Sequence, residues 1–129
     1  MLKSVPRADV MQASSDMLQK QLYAIFTTAT NGLEPIFQNL EDHLKFQVEL
    51  EAEGILYAAG PMWTDDEESW EGEGLVVVRA ASRDAAVEIA QRDPMHICGA
   101  REFTVRPWLV NEGSVTITLN KSSQTFTIK

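Results

Sequence analysis

Residues 22–60 of this 129-residue chain read LYAIFTTATNGLEPIFQNLEDHLKFQVELEAEGILYAAG. The run opens with a β-branched and aromatic segment, Leu22 to Thr28, which is followed by an Asn31-Gly32 turn signal and predicts a strand. Apolar residues then recur at three- and four-residue steps, which is typical of an amphipathic helix between Leu33 and Glu53. Ile55 to Gly60 predicts a second strand, so the fold begins as a strand, helix, strand unit.

The predicted helix has recognisable ends and one apolar stripe. Pro35 falls in its first turn, where a missing N–H is tolerated, and Gly54 is placed to end it in a left-handed conformation. The stripe expected to face the sheet consists of Leu33, Ile36, Phe37, Leu40, Leu44 and Val48.

The second half of the chain repeats this pattern. Leu75 to Ala80 predicts a third strand that is apolar on both faces, and Arg101 to Pro107 predicts a fourth. Between them Ser82 caps a second helix, which the Asp93-Pro94 step ends. The inward stripe of that helix consists of Ala85, Ala86, Ile89 and Ala90. The order βαββαβ predicts an α+β domain.

Segments outside this domain are predicted to be short additions. Residues 1–20 lack a sustained period and are expected to form a loose arm with one helical turn. The main domain is expected over residues 21–109. In residues 110–129 two alternating runs flank a turn, which predicts a C-terminal β-hairpin. Isolated hairpins are marginal in water, so this one should pack on the domain or on a partner subunit.

The predicted sheet has a second apolar face. The first strand offers Leu22, Ala24 and Phe26 on the side opposite Tyr23 and Ile25, whereas two helices can cover only one side. A homodimer through the sheet faces, helped by the hairpin, is the simplest way to bury the other side.

Composition excludes several function classes. The net charge of −8 repels phosphate backbones and anionic membrane surfaces, so neither nucleic acid nor a membrane is expected as a partner. No apolar run is long enough to cross a bilayer, and no secretory signal precedes the domain, so a cytoplasmic location is expected. The single Cys98 is expected to be a buried, inert thiol. The acidic run 65–73 lacks calcium-loop spacing and is expected to be a solvated, mobile loop.

The two histidines limit where proton transfer near neutral pH can occur. His43 lies about 60° from Leu40 on a helical wheel, at the shoulder of the predicted stripe, where it faces either a cleft or bulk solvent. Asp93 before Pro94 reads as a helix N-cap, and alternatively as a carboxylate that orients an imidazole. The two roles of Asp93 can coexist. No phosphate-binding glycine loop, nucleophile elbow or metal-ligand cluster is present in the sequence.

Short motifs spread over Leu22 to Trp108 resemble the YciI-like (YCII-related) family. In chain order they are His43-Leu44, Glu53-Gly54-Ile55-Leu56, Ala59-Gly60-Pro61, the run Ala86 to Ala90, Asp93-Pro94, Gly99, and Val105-Arg106-Pro107-Trp108. Each motif alone is short, and their order along the chain carries the resemblance.

The resemblance implies a ferredoxin-like fold with an antiparallel sheet, assembled as a dimeric α/β barrel. It implies an active site made from His43 and Asp93, and no metal, haem or nucleotide cofactor. One relative is a dehydrochlorinase of a chlorinated hydroxyquinone, so proton abstraction coupled to loss of a leaving group is the expected type of chemistry. The N-terminal arm, the acidic loop and the hairpin depart from the simplest family members, which puts transfer of any relative's substrate in doubt.

Three hypotheses follow for the function. The first is a cofactor-free lyase or isomerase for a small organic molecule, in which His43 moves the proton and Asp93 orients the ring. Gly60, Pro61, Trp63 and Trp108 are expected to line its pocket. The second is a dimeric module that binds a metabolite or a protein without turnover, and the third is a structural interaction protein that assembles through the hairpin.

Overall fold

A computed structural model describes residues 1–129, which form two compact units. One unit comprises Gln21–Trp108, and the other comprises Met1–Lys20 with Leu109–Lys129. The elements are α1 (Arg7–Ala13), β1 (Lys20–Ala29), α2 (Glu34–Ala52), β2 (Leu56–Pro61), β3 (Gly74–Val78), α3 (Arg83–Gln91), α4 (Pro94–Ile97), β4 (Arg101–Val110), β5 (Ile117–Asn120) and β6 (Thr125–Ile128).

The larger unit is built on a four-stranded sheet in the order β2-β3-β1-β4. β3 pairs antiparallel with β1, from Tyr23 opposite Val78 to Thr27 opposite Gly74. It also pairs antiparallel with β2, where one irregularity falls between Leu56 and Ala58. The βαββαβ order and antiparallel sheet confirm the predicted α+β, ferredoxin-like fold, in which β2 and β4 are the edge strands.

The core lies between the sheet and the helices because alternate strand residues point to that side. Tyr23 and Ile25 from β1 meet Val76 and Val78 from β3. Ala86 and Ala90 of α3 pack on them, as their helical spacing predicted, and Ser82 caps this helix by accepting from the amide of Ala85.

The opposite face of the sheet is partly covered within one chain. Leu22 and Val77 are buried, whereas Phe26 is 38% exposed. The apolar character of both faces was therefore predicted correctly, and the homodimer that would bury the remainder stays a prediction.

Helix α2 is rotated relative to the predicted stripe. Its buried residues are Ile36, His43, Phe46, Gln47 and Leu50. Ile36 and Leu50 stand seven positions to either side of His43, which places the histidine at the centre of the buried face. Phe37, Leu44 and Val48, assigned to the core by their spacing, are exposed by 58%, 54% and 64%. Three residues of the predicted stripe do pack inward, since Ile36 is buried and Leu33 and Leu40 are partly buried against its cluster. The centre of the stripe was misplaced by roughly 90° of rotation, because α2 carries two apolar faces and the sheet selects the one that also contains polar residues.

The smaller unit contains α1 and the C-terminal hairpin. α1 spans 7 residues, which is more helix than the single turn expected of the arm. β5 and β6 pair antiparallel with Ile117 opposite Ile128 and Leu119 opposite Phe126, so these four side chains share one face. All four are exposed. No helix of the chain is both long and apolar enough to span a membrane.

Candidate functional site

A cavity of about 750 Å³ lies between α2 and the edge strand β2. Its walls are mainly apolar, with Leu44 and Val48 from the second apolar face of α2 and Tyr57 from β2. The size and the apolar lining are typical of small-molecule sites. The polar side chains of the lining are Thr27, His43, Gln47, Glu51 and Arg101.

His43 lines this cavity and is hydrogen-bonded to Asp93, which lies outside the lining. His43 Nδ1 lies 2.8 Å from Oδ2 and 3.0 Å from Oδ1 of Asp93, and both residues are more than nine-tenths buried. A carboxylate can only accept here, so Nδ1 carries the proton that is donated to Asp93. Nε2 of His43 has no hydrogen-bond partner within the chain, and the residue lines the cavity. The unprotonated nitrogen of the neutral ring is therefore available to a bound molecule.

Asp93 is held in place by its second role as the N-cap of α4. Its Oδ1 accepts from the Met95 amide at 2.9 Å, while Pro94 occupies the first helical position. Two of the alternatives left open by the sequence thus hold together: the same carboxylate caps a helix and orients an imidazole. The cap fixes the carboxylate, and the carboxylate fixes the tautomer and the tilt of the ring.

The other residues predicted for the site divide into two groups. Gly60, Pro61 and Trp63 line the cavity. Trp108 does not; it lies on β4 at the opposite edge of the sheet and is 46% exposed. Trp70, which follows the acidic residues Asp65 to Glu68, also contributes to the lining.

Arg101, Gln47 and Thr27 line the cavity and were not singled out from the sequence. Arg101 donates through Nε to the carbonyl of Gly72 at 2.9 Å, and its Cζ lies 5.9 Å from the centre of the Trp70 ring. Burial lowers the pKa of the Arg101 guanidinium, and the negative charge of Asp93 opposes that shift. A lone arginine at the start of a strand gives no sequence signal that distinguishes it from an exposed one.

Gln47 holds the one buried polar side-chain atom without a partner. Its Oε1 accepts no hydrogen bond, even though the residue is buried and only 8% exposed. Native proteins leave few such atoms unsatisfied, and those that remain often lie at functional sites. The amide of Gln47 is therefore a second polar group, beside His43, whose hydrogen bonding the chain itself does not complete.

His96 lies behind the cavity and is fully bonded within the chain. Its Nδ1 donates to the carbonyl of Ala90 at 2.6 Å, so its Nε2 accepts from the hydroxyl of Thr27 at 2.9 Å when the ring is neutral. Burial lowers the pKa of His96 from the ordinary 6.5, although the Ala90 carbonyl and the charge of Asp93 favour the protonated form. A ring bonded in this way supports Thr27 and does not face the cavity.

The depressed pKa of His96 predicts a loss of stability on acidification. Because the unfolded chain binds the proton at a higher pH than the folded chain does, the free energy of unfolding should fall as the pH drops below about 6.5. Urea unfolding from about pH 8 to about pH 5 should show this slope in the wild type and a smaller slope in His96→Gln. Equal slopes in the two proteins would contradict the assignment.

Hydrogen bonds fold the acidic loop back on itself. The amide of Met62 donates to the carbonyl of Glu73 at 3.1 Å, and the amide of Thr64 donates to that of Ser69 at 2.9 Å. The Thr64 hydroxyl and the Glu68 amide donate to Asp66 and lower its pKa. The acidic side chains of the loop are exposed to solvent as expected, while these hydrogen bonds connect its two ends.

Gly72 anchors this loop against the core. Its φ is +87°, and a Cβ there would lie 2.5 Å from Cδ1 of Ile36, a side chain with no exposed surface. Only glycine fits both the left-handed backbone and the close approach. The same residue supplies the carbonyl that Arg101 binds, so the loop helps to position the cation.

No group of three or more His, Cys, Asp or Glu side chains is arranged to hold a metal ion.

The thiol of Cys98 is exposed, with its Sγ 3.6 Å from the carbonyl of Met95, so the expectation that it is buried was wrong. The residue follows the short helix α4 at its solvent side, where an apolar type does not ensure burial.

Comparisons with known proteins agree with this architecture. The family model of the YCII-related domain matches residues 21–109. Among solved structures, the chain is similar to 5-chloro-2-hydroxyhydroquinone dehydrochlorinase (TftG) from Burkholderia phenoliruptrix AC1100 in complex with 2,5-dihydroxybenzoquinone, with 20% identity and a TM-score of 0.55. The similarity covers 67% of this chain and 92% of that one. No curated protein matches the sequence significantly.

Proposed function

The chain belongs to the YCII-related domain family, which its sequence motifs predicted, and from this premise we propose that it is a cofactor-independent lyase or isomerase acting on a small organic molecule. One observation carries the proposal. A buried His43 donates Nδ1–H to Asp93 and presents its other nitrogen to an apolar cavity of about 750 Å³. This is the arrangement that general acid–base catalysis requires.

The proposed step is a proton abstraction coupled to loss of a leaving group. His43 Nε2 takes a proton from a carbon or oxygen of the substrate, and the released electron pair forms a new double bond while the leaving group departs with its own pair. The imidazolium returns the proton to the leaving group or to water. The reaction removes HX without net oxidation, and without a leaving group the same base can shift a double bond. Asp93 stabilises the imidazolium through the hydrogen bond that it accepts from Nδ1.

The structural neighbour is consistent with this class of reaction. TftG is named as a dehydrochlorinase and was solved with a dihydroxybenzoquinone, a small planar ring. At 20% identity the likeness shows a shared fold, so the type of reaction is part of the proposal and is argued from the cavity and the His43–Asp93 pair.

Chloride release from 5-chloro-2-hydroxyhydroquinone under anaerobic conditions provides the first test. We expect enzyme-dependent release in the wild type and release at the level of the protein-free control in His43→Gln, because the substituted amide cannot accept the proton. Asp84→Asn serves as the control, since Asp84 lies in the first turn of α3 and does not line the cavity. If the wild type released no chloride from this compound or from related halogenated hydroquinones, or if His43→Gln were as active, a non-catalytic binding module would be the better description.

The homodimer and the cytoplasmic location belong to the same proposal. Support for a dimer comes from apolar surface that a single chain leaves exposed, which includes Phe26 on the sheet and the four apolar side chains of the hairpin.

A further inference from the structure

Arg101 is the feature of the cavity that proton transfer by His43 leaves unexplained. The residue is 6% exposed, yet it forms no ion pair with any carboxylate of the chain. Buried arginines are usually paired with a carboxylate in direct contact, whereas here the charge of Asp93 acts only from beyond ion-pair distance and the Trp70 ring lies 5.9 Å from Cζ. The chain keeps this one at the start of β4, in the cavity wall.

Only one of the three nitrogens of the Arg101 guanidinium donates a hydrogen bond within the chain. Nε is bonded to the Gly72 carbonyl, whereas the two terminal amino groups have no acceptor within the chain. Gln47 Oε1 is the only buried side-chain polar atom without a partner, so the terminal nitrogens of Arg101 reach open space. Because Arg101 lines the cavity, that space is where a ligand would lie.

We infer that the cavity binds a small ring-containing acid whose planar oxyanion lies against the terminal nitrogens of Arg101. The inference rests on the proposed function, because it names the substrate class of the same site. A carboxylate or an ionised enol or phenol shares the required chemistry, and the paired N–H groups of a guanidinium match a planar oxyanion in geometry. Tyr57, Trp63 and Trp70 supply the aromatic surface that a ring would contact.

Long-range attraction cannot account for a preference for anions in this protein. The chain carries a net charge of −8, which repels anions at a distance. Glu51 is the only carboxylate of the lining, and it is exposed, so solvent screens its charge. A preference for an anion must therefore arise locally, from a cation held among apolar walls where Coulomb interactions are strong.

The position of Arg101 also fits the proposed chemistry. When a neutral imidazole removes a proton from a substrate, negative charge develops on the substrate, commonly on an oxygen conjugated to the reacting carbon. A fixed cation held among apolar walls stabilises such an oxyanion. Arg101 then binds the substrate in the ground state and stabilises it further as the proton leaves.

The test compares acids with neutral molecules of the same shape. Benzoate, 4-hydroxybenzoate and phenylacetate, each beside its amide, are titrated into the full chain and followed by NMR. In the wild type we expect each acid to bind about tenfold or more tightly than its amide, since a charge-assisted hydrogen bond contributes at least that factor. Arg101→Met should abolish the preference, and Arg101→Lys should retain part of it.

Arg83→Met is the matched control, because Arg83 also donates through Nε to a backbone carbonyl, that of Val105, but does not line the cavity. The preference should persist in this variant. If Arg101→Met fails to fold, the Arg101→Lys variant and the wild-type comparison decide the question.

Three results would overturn the inference: equal binding of acids and amides, a preference that survives in Arg101→Met, or no binding of any acid. Its failure is distinguishable from that of the proposed function. A preference that depends on Arg101, without turnover that depends on His43, would leave an anion-binding module. Turnover that depends on His43, without the preference, would leave an enzyme for neutral substrates.

Discussion

Replacing Asp93 by Asn is expected to lower turnover by about 10²- to 10⁴-fold while leaving the folded protein nearly as stable as the wild type. Asn and Asp are similar N-caps, so the bond from the Met95 amide can be kept. The Asn amide, however, presents a donor to His43 Nδ1 and favours the tautomer that carries its proton on Nε2. The ring then has no lone pair facing the cavity.

The measurement has two parts, of which one needs no substrate. Long-range ¹H–¹⁵N NMR spectra of the neutral ring should show the proton of His43 on Nδ1 in the wild type and on Nε2 in Asp93→Asn. Chloride release should fall in parallel. Asp84→Asn is the matched control, because Asp84 lies in the first turn of α3 and outside the cavity. An unchanged tautomer together with unchanged turnover would refute the coupled pair, and a large loss of stability would indicate a purely structural Asp93.

Gly72→Ala is expected to lower the free energy of unfolding by about 3 kcal/mol, from a strained left-handed backbone and from overpacking against Ile36. The new Cβ would lie 2.5 Å from Ile36 Cδ1 and 3.2 Å from both Ala29 and Leu33. Ile36 is fully buried and cannot move into solvent. The loop would have to shift instead, and the carbonyl that holds Arg101 would shift with it.

Gly54→Ala separates the two contributions to this effect. Gly54 has a similar φ of +76°, but a Cβ there meets nothing within 4 Å. Replacing Gly54 by Ala should therefore lower the free energy of unfolding by only about 1 kcal/mol, which is the strain of a left-handed alanine backbone. Urea unfolding of both variants measures the difference, and equal destabilisation would show that the contact with Ile36 is relieved without cost.

The sequence predicted the fold well because the sheet and the short helices obey local rules. The β-branched and apolar runs of β1 and β3, the Ser82 cap and the Asp93-Pro94 step each specify their element within a few residues. The orientation of α2 could not be predicted in the same way. Two apolar faces compete on that helix, and only packing against the sheet decides between them.

The candidate site was predicted only where motifs pointed to it. His43 and Asp93 came from family motifs and from the scarcity of histidine, and the structure brings them within 2.8 Å. Arg101 depends on a loop folding over it so that Gly72 and Trp70 contact its guanidinium. Such burial is a property of tertiary structure, and a sequence pattern that is typical of an exposed strand end does not contain it.

The two apolar faces of α2 have different tasks, since one packs in the core and the other lines the cavity. Ile36 and Leu50 are fixed by the core, whereas Leu44 and Val48 line the cavity while remaining more than half exposed. Replacements at exposed positions usually change stability little, so mutation can remodel the shape of the ligand space without threatening folding. A lineage could in this way diversify its chemical preferences on an unchanged scaffold.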